Sequence, residues 1–459
     1  MYEDARPRPT AGIASAGMVL GALILACLAL LSASAPANAS TGEATITSAV
    51  RTQARVVELT ISTPAFSTPT KVEVDLPTGY DDNPTRRWPT TYFLAGTQNT
   101  YRSFNAVVGG VALTANYPSI VISPNGDSGY WSDWYNRGAA GPPQYETYVI
   151  EQLIPLIDGY FRTIADRAHR AIGGVSMGGY GAVMLAARHP DLFASAASVS
   201  GTLNTNLLPN LAAVSLSSAL QGAEVDAIYG PRATEEIRWR GHNPADIADN
   251  LRDIDLQVRT ANGVINPRIG EKPFSIDLVS CLVEAGAYGS SVSMHSILDR
   301  LEVDHLWKDY GAGCHTPPNF KRQLSDTLTV FARNFASAAQ EPTTFEFESI
   351  EPEFDVWGWH VKADPARALE FMRIADAGRA GIRINGTGST TVTTPAIFGD
   401  SSLVALTGAD ENWAVPDAEG RITFSVDLGR PSRIQQYRLG ASSHRQTQQV
   451  SFSPVVGGG

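Results

Sequence analysis

Cysteine is scarce in this chain, with three residues among 459. Positive charge is also short: 35 Lys and Arg face 46 Asp and Glu, for a net charge of −11. Basic residues nowhere gather into a block. A nucleic-acid partner needs such a patch, so that partner is excluded. Beyond residue 31 no apolar stretch is long enough to cross a bilayer. No internal repeat is visible, which sets aside solenoids and repeat arrays.

What is present begins with a targeting segment. Arg6 and Arg8 precede an apolar run from about Met18 to Leu31, and Ala35-Pro36-Ala37-Asn38-Ala39 follows. This order reads as an export signal, residues 1–39, cleaved near Ala39. A retained anchor is the alternative, and a lipoprotein reading through Cys27 is disfavoured by the apolar residues after it. Localisation is therefore expected to be secreted or at the cell envelope. Cys281 and Cys314 then remain as an even pair in an oxidising compartment.

The hydrophobic fraction of 43% suffices for a large core, and the length suggests two or three domains. Val56–Ile61 and Lys71–Leu76 alternate as antiparallel strands. Short apolar strands at Thr91–Leu94, Ser119–Ser123, His169–Val175, Phe193–Ser200, Asp255–Thr260 and His305–Tyr310 are separated by helical patterns. The helical stretches are Phe104–Tyr117, Tyr145–Phe161, Gly181–Arg188, Phe274–Arg300 with loops, and Asn319–Ala336. That alternation predicts an α/β fold: a mostly parallel sheet with helices on both faces, over residues 45–338. Residues 201–251 break the rhythm and are expected to form a helical excursion over the sheet's C-terminal edge. After a linker at 340–344 the pattern turns to short alternating segments and glycine-rich turns. This predicts a β-rich, sandwich-like domain over 344–455 that folds on its own.

The chemical centre is Gly174-Val175-Ser176-Met177-Gly178, a G-x-S-x-G between a strand and a helix. Alone the motif is common. With both flanks right it reads as a nucleophile elbow, with Ser176 exposed on a sharp turn. A serine nucleophile needs a base and an orienting acid, in the chain order Ser, acid, His. His315, in the loop between the last strand and the last helix, is the base this order favours; His295 and His305 read as structural. For the acid, Asp255, Asp277 and Glu284 all remain open. Backbone N–H groups of Met177 and Thr97 are the expected oxyanion donors, although residues 95–98 read equally well as an ordinary strand-end turn. No metal or cofactor is needed.

At this point the residues resemble a known family. The elbow, the aromatic loop Trp131-Ser132-Asp133-Trp134-Tyr135 and the loop holding His315 are similar to the esterase D group of α/β-hydrolases. The stretches Tyr229-Gly230-Pro231, Trp239 and Asn243-Pro244 resemble the secreted mycolyltransferase branch. The likeness spans roughly residues 55–336. It implies the α/β-hydrolase fold and Glu284 as the acid, and it makes Trp131, Asp133 and Trp134 candidates for substrate binding. It also implies transfer of a fatty, mycoloyl-type acyl group between envelope glycolipids through an acyl-enzyme. A secreted carboxylesterase that delivers the acyl group to water is the alternative, and a non-catalytic envelope-binding protein a third reading. The family's L-D-G is here Leu94-Ala95-Gly96, and Thr316-Pro317 stands where the family has Trp after its histidine. The cysteine pair often found after the aromatic loop is absent from 137–143. These departures bear on trehalose specificity more than on acyl chemistry. If Glu284 meets His315, then Cys281, one helical turn before it, and Cys314 come close enough to form a disulfide. Trp357, Trp359 and Trp413 offer the β-rich domain a way to bind envelope glycan, or else simply form its core.

Overall fold

The computed structural model describes residues 43–135, 143–272, 278–337, 339–441 and 444–456. The export signal, the segment 136–142 and Asp277 lie outside them. The first part of the chain builds one nine-stranded sheet. Its strands are β1 (Thr45–Gln53), β2 (Val56–Ser62), β3 (Thr70–Asp75), β4 (Thr90–Leu94), β5 (Ile120–Pro124), β6 (Arg170–Val175), β7 (Ser195–Val199), β8 (Asp255–Thr260) and β9 (His305–Asp309). The order across the sheet is β1-β2-β3-β5-β4-β6-β7-β8-β9. The pairs along β1-β2-β3-β5 are antiparallel, and those from β5 through β9 are parallel.

Burial explains the strand sequences. β4, β5, β6 and β7 are buried along their whole length, as expected of parallel strands covered on both faces. β1 lies at the edge and is almost wholly exposed. Its polar, unpatterned sequence gave no strand expectation. One face of the sheet carries the larger apolar cluster, which includes Ile122, Ile172, Leu185 and Trp131; the other packs Phe320, Leu324 and Phe331 from the final helix (Pro317–Ser337). This arrangement is the α/β-hydrolase fold. The helix expected over Phe104–Tyr117 is two short turns, Ser103–Val108 and Gly110–Leu113, divided at Gly109, whose φ is +73°. Conversely, Leu278–Arg300 is one unbroken helix of 23 residues where loops were expected.

Beyond residue 344, two antiparallel sheets share a core of their own. A six-stranded sheet runs Phe345–Ser349, Met372–Gly378, Gly381–Gly386, Gln446–Val456, Ser401–Thr407 and Trp413–Ala414. A four-stranded sheet runs Glu353–Val356, Trp359–Lys362, Ser389–Thr393 and Thr423–Asp427. Trp359 sits in their core with Phe398, Phe424 and Phe452. Trp357 is partly buried, with Arg167 from the first part of the chain over its ring; of the three tryptophans only Trp413 is exposed.

This β-rich part is fastened to the hydrolase part. Ile350 and Phe371 belong to the core of the large sheet, not to that of the β-rich part. Ile350 fills a space that only a glycine at 241 leaves open: a Cβ there would stand 2.5 Å from its Cδ1. Asn250 pairs with the Glu348 backbone, accepting from its N–H and donating to its carbonyl, both at 2.9 Å. Arg188, the last residue of the helix Met177–Arg188, is shared between Glu146 at 2.7 Å and Glu351 at 2.9 Å. Ending the chain at Ala339 removes Ile350 from the core and one partner from the enclosed Arg188. The truncated protein should melt at least about 4 °C lower in scanning calorimetry; an unchanged melting temperature would show that these contacts contribute nothing.

Candidate active site

The site is assembled at the carboxyl ends of the parallel strands, where open α/β sheets place their ligands. β6 ends at Val175, and the chain turns sharply through Ser176, with φ +59° and ψ −122°, into the helix Met177–Arg188. A serine with this backbone stores strain of about 1–3 kcal/mol. The neighbours over-determine it. A Cβ at Gly178 would lie 1.9 Å from the Leu94 carbonyl oxygen, and one at Gly174 would lie 2.4 Å from the Gly178 carbonyl. The Ser176 amide donates to Val199 O at 2.9 Å. Ser176 is partly exposed while both sequence neighbours are buried, so its hydroxyl is the group offered to solvent.

The helix Leu278–Arg300 brings Glu284 under this edge, fully buried. One carboxylate oxygen accepts from Ser200 Oγ at 2.6 Å and from the Ala261 amide at 2.9 Å. The other lies 2.7 Å from His315 Nδ1, which donates to it. Gln323 Nε2 in turn donates to Ser200 Oγ at 3.0 Å. The ring of His315 stands edge-on to Phe320, with centroids 4.7 Å apart. A His held by a carboxylate at Nδ1 keeps Nε2 as the free, basic nitrogen. Of the acids left open by the residues, Glu284 is the one joined to His315; Asp255 starts β8, at the opposite end of that strand.

The base loop has supports that sequence reasoning missed. Buried Glu271 accepts from the Cys314 amide at 2.9 Å and from Thr316 Oγ1 at 2.6 Å, bracketing His315. Asn319 Nδ2 donates to Cys314 O at 2.9 Å. Cys281 and Cys314 form a disulfide, with Cα atoms 4.3 Å apart. Nothing in the local sequence distinguishes Glu271, Ser200 or Gln323 from surface polar residues.

Of the two proposed oxyanion donors, Met177 directly follows the serine. Gly96 packs directly on it, since a Cβ there would lie 3.2 Å from Ser176 Cβ, and this brings the segment 95–98 alongside. No hydrogen bond among the described residues engages the N–H of Met177 or of Thr97.

The aromatic loop calls for a correction. Trp131 is wholly buried and Trp134 nearly so; neither can meet substrate in this structure. The Trp131 ring lies where Cβ atoms of Gly126 and Gly181 would otherwise be, about 2.2 and 2.3 Å from them. Its indole N–H donates to Ala95 O at 3.3 Å, tying the loop that carries Thr97 to the helix after Ser176. Trp134 donates to Gly129 O at 3.1 Å. Asp133 accepts from the amide and hydroxyl of Thr147, at 3.1 and 2.6 Å. The two tryptophans shape the site from within the core.

Burial pushes the carboxyl of Asp133 up to about 7, and does the same to Asp75 and Glu348. Each binds a proton in the folded state that the unfolded chain has released by about pH 5. Their contribution to stability is therefore present at low pH and lost as pH rises towards 7. His242, pushed down to about 4 by burial, acts the opposite way below its ordinary value. Three carboxyls outweigh one imidazole, so the melting temperature should rise as pH falls from 8 to about 5. Asp133→Asn, which keeps an acceptor for the Thr147 amide, should flatten that slope. A melting temperature that climbs with pH over this range would contradict the assignment.

Comparison with known proteins completes the description. Residues 63–266 match the family model described as "Putative esterase". An esterase of Mycobacterium tuberculosis is 34% identical over 186 residues, 40% of this chain and 40% of that protein, so the match spans about two fifths of that relative. A diacylglycerol acyltransferase/mycolyltransferase of Mycobacterium leprae is 26% identical over 239 residues, covering 47% of this chain and 68% of that protein. Among solved structures, MPT51 of Mycobacterium tuberculosis aligns at 18% identity with a TM-score of 0.48, covering 61% of this chain and 98% of that one.

Proposed function

From the match of residues 63–266 to that esterase family model, we propose a serine acyl-transfer reaction run by Ser176, His315 and Glu284. The observation that carries the proposal is the buried Glu284 bound to His315 Nδ1 at 2.7 Å, at the same sheet edge as the strained Ser176 turn. His315 Nε2 takes the proton of the Ser176 hydroxyl as its oxygen attacks an ester carbonyl. The Met177 and Thr97 amides donate to the oxyanion, and Glu284 stabilises the imidazolium. The proton then passes to the leaving alcohol, and an acyl-enzyme remains. A second hydroxyl, from water or sugar, enters with the same base and releases the acyl group.

The substrate proposed is an acyl glycolipid of the cell envelope, with a mycoloyl-type chain moved to another sugar. The resemblance of the aromatic loop and of the 229–244 stretch to mycolyltransferases supports transfer. Hydrolysis by a secreted carboxylesterase is the second reading, and the alanine in Leu94-Ala95-Gly96 is what favours it. Export is supported by the disulfide beside the base, which persists only in an oxidising compartment. An envelope glycan held through the exposed Trp413 of the β-rich part is proposed as a further partner.

Ser176→Ala should lower p-nitrophenyl butyrate turnover by at least about 10³-fold with an unchanged circular dichroism spectrum. Glu284→Gln should cost about 10³- to 10⁴-fold, through loss of the charge facing the imidazolium. A folded Ser176→Ala protein of ordinary activity would remove the mechanism. Incubation with a trehalose mycolate separates the readings: a transferred acyl product supports the acyltransferase, and free acid alone supports the esterase.

A further inference from the structure

Three ligating side chains converge on the acid helix Leu278–Arg300 and β9, well away from Ser176. His295 and Asp299 stand four residues apart on one face of the helix, and His305 opens β9. His295 Nδ1 and His305 Nε2 are 2.7 Å apart. The Asp299 carboxylate lies 3.6 Å from His295 Nε2 and 3.9 Å from His305 Nε2. One donor atom from each residue falls within 4.8 Å of the other two.

The surroundings orient these donors. His305 Nδ1 donates to the Val303 carbonyl at 2.8 Å, which leaves Nε2 with its lone pair turned to the cluster. Metal-binding imidazoles commonly carry this kind of outer bond. The His295 ring lies flat on Trp307, with planes 7° apart and centroids 4.6 Å apart, and this stacking sets its plane. The side chain of His305 is almost wholly enclosed, while Asp299 is open to solvent and offers an entry path. A plain His295–His305 hydrogen bond with Asp299 nearby also accounts for the short contact, but that account calls for no carboxylate within reach of both rings.

We propose that His295, Asp299 and His305 form a binding site for a borderline divalent cation of the zinc class. Two imidazoles and one carboxylate suit that chemistry, with remaining positions open to water. The ion would hold the last turns of the acid helix against β9, whose other ends are already joined by Cys281–Cys314. Glu284 lies on the helix between the two ties, and His315 directly follows the disulfide's Cys314. The site does not depend on the reaction proposed above.

The test is Zn²⁺ titration of the full mature chain against a chromophoric chelator, with Co²⁺ absorption as a second probe. One equivalent of Zn²⁺ should bind, and Co²⁺ should give d–d bands of a histidine-ligated ion. Asp299→Asn, at the surface and therefore safe for the fold, should weaken binding at least about tenfold. His305→Gln should abolish it, with folding checked by circular dichroism. His360→Ala, which alters a separate His360–Glu353–Asp355 cluster in the β-rich part, should leave it unchanged. Absence of zinc uptake by the wild-type chain would overturn the site, and so would an equivalent that survives both Asp299→Asn and His305→Gln or disappears in His360→Ala.

Discussion

The hydrolase part depends on how closely the end of β4 approaches the turn after β6. The Leu94 carbonyl and the Gly178 backbone touch at a distance that leaves no room for a Cβ. That contact sets where the helix Met177–Arg188 begins, and so forces Ser176 into its positive φ. It also sets where the 95–98 segment runs, so the proposed nucleophile and the proposed oxyanion donors are positioned by one crossing. Trp131 reinforces it from behind, occupying the hollow over Gly126 and Gly181 and bonding to Ala95 O. An alanine at 178 would be a small chemical change and a large geometric one.

The proposed acid and base, Glu284 and His315, rest on a second constraint, the removal of a carboxylate from water. A buried charge is costly unless each lone pair finds a donor. Glu284 has Ser200, Ala261 and His315, and these come from the ends of β7, β8 and β9. The acid is thus satisfied only when three neighbouring strands are in register. Glu271 repeats the device one layer out, gripping the loop on both sides of His315. The active site is in this sense a property of the sheet edge, not of any one loop.

What could be read from the chain alone follows from how local each signal is. The elbow is legible because its strand, glycines and helix lie within about twenty residues. His315 is legible by its place after the last parallel strand. Glu284 is not, since burial among three distant strands leaves no mark on its neighbours, and only family resemblance pointed to it. The aromatic loop is tied to substrate only by its resemblance to the family; the vacancies that hold Trp131 belong to Gly126 and Gly181, and sequence cannot show that they face it. β1 was missed because an exposed edge strand carries no alternation. The hairpin Met372–Gly386 was missed for a related reason: Arg373, Asp376 and Arg383 dilute its apolar pattern at the surface.

The shared arginine has a consequence for where this protein may be cut or grafted. Arg188 closes the helix that Ser176 opens, and its charge is divided between Glu146 of the hydrolase part and Glu351 of the β-rich part. The polypeptide passes from one part to the other near residue 340, yet the energetic boundary does not fall there. A segment just past that point, with Ile350 at its centre, is built into the wall of the first part. A transplanted catalytic unit should therefore extend at least through Glu351, carrying that short peptide as its own keystone. Swapping the β-rich part for another module would require the newcomer to supply an apolar plug for the Gly241 hollow and an anion for Arg188.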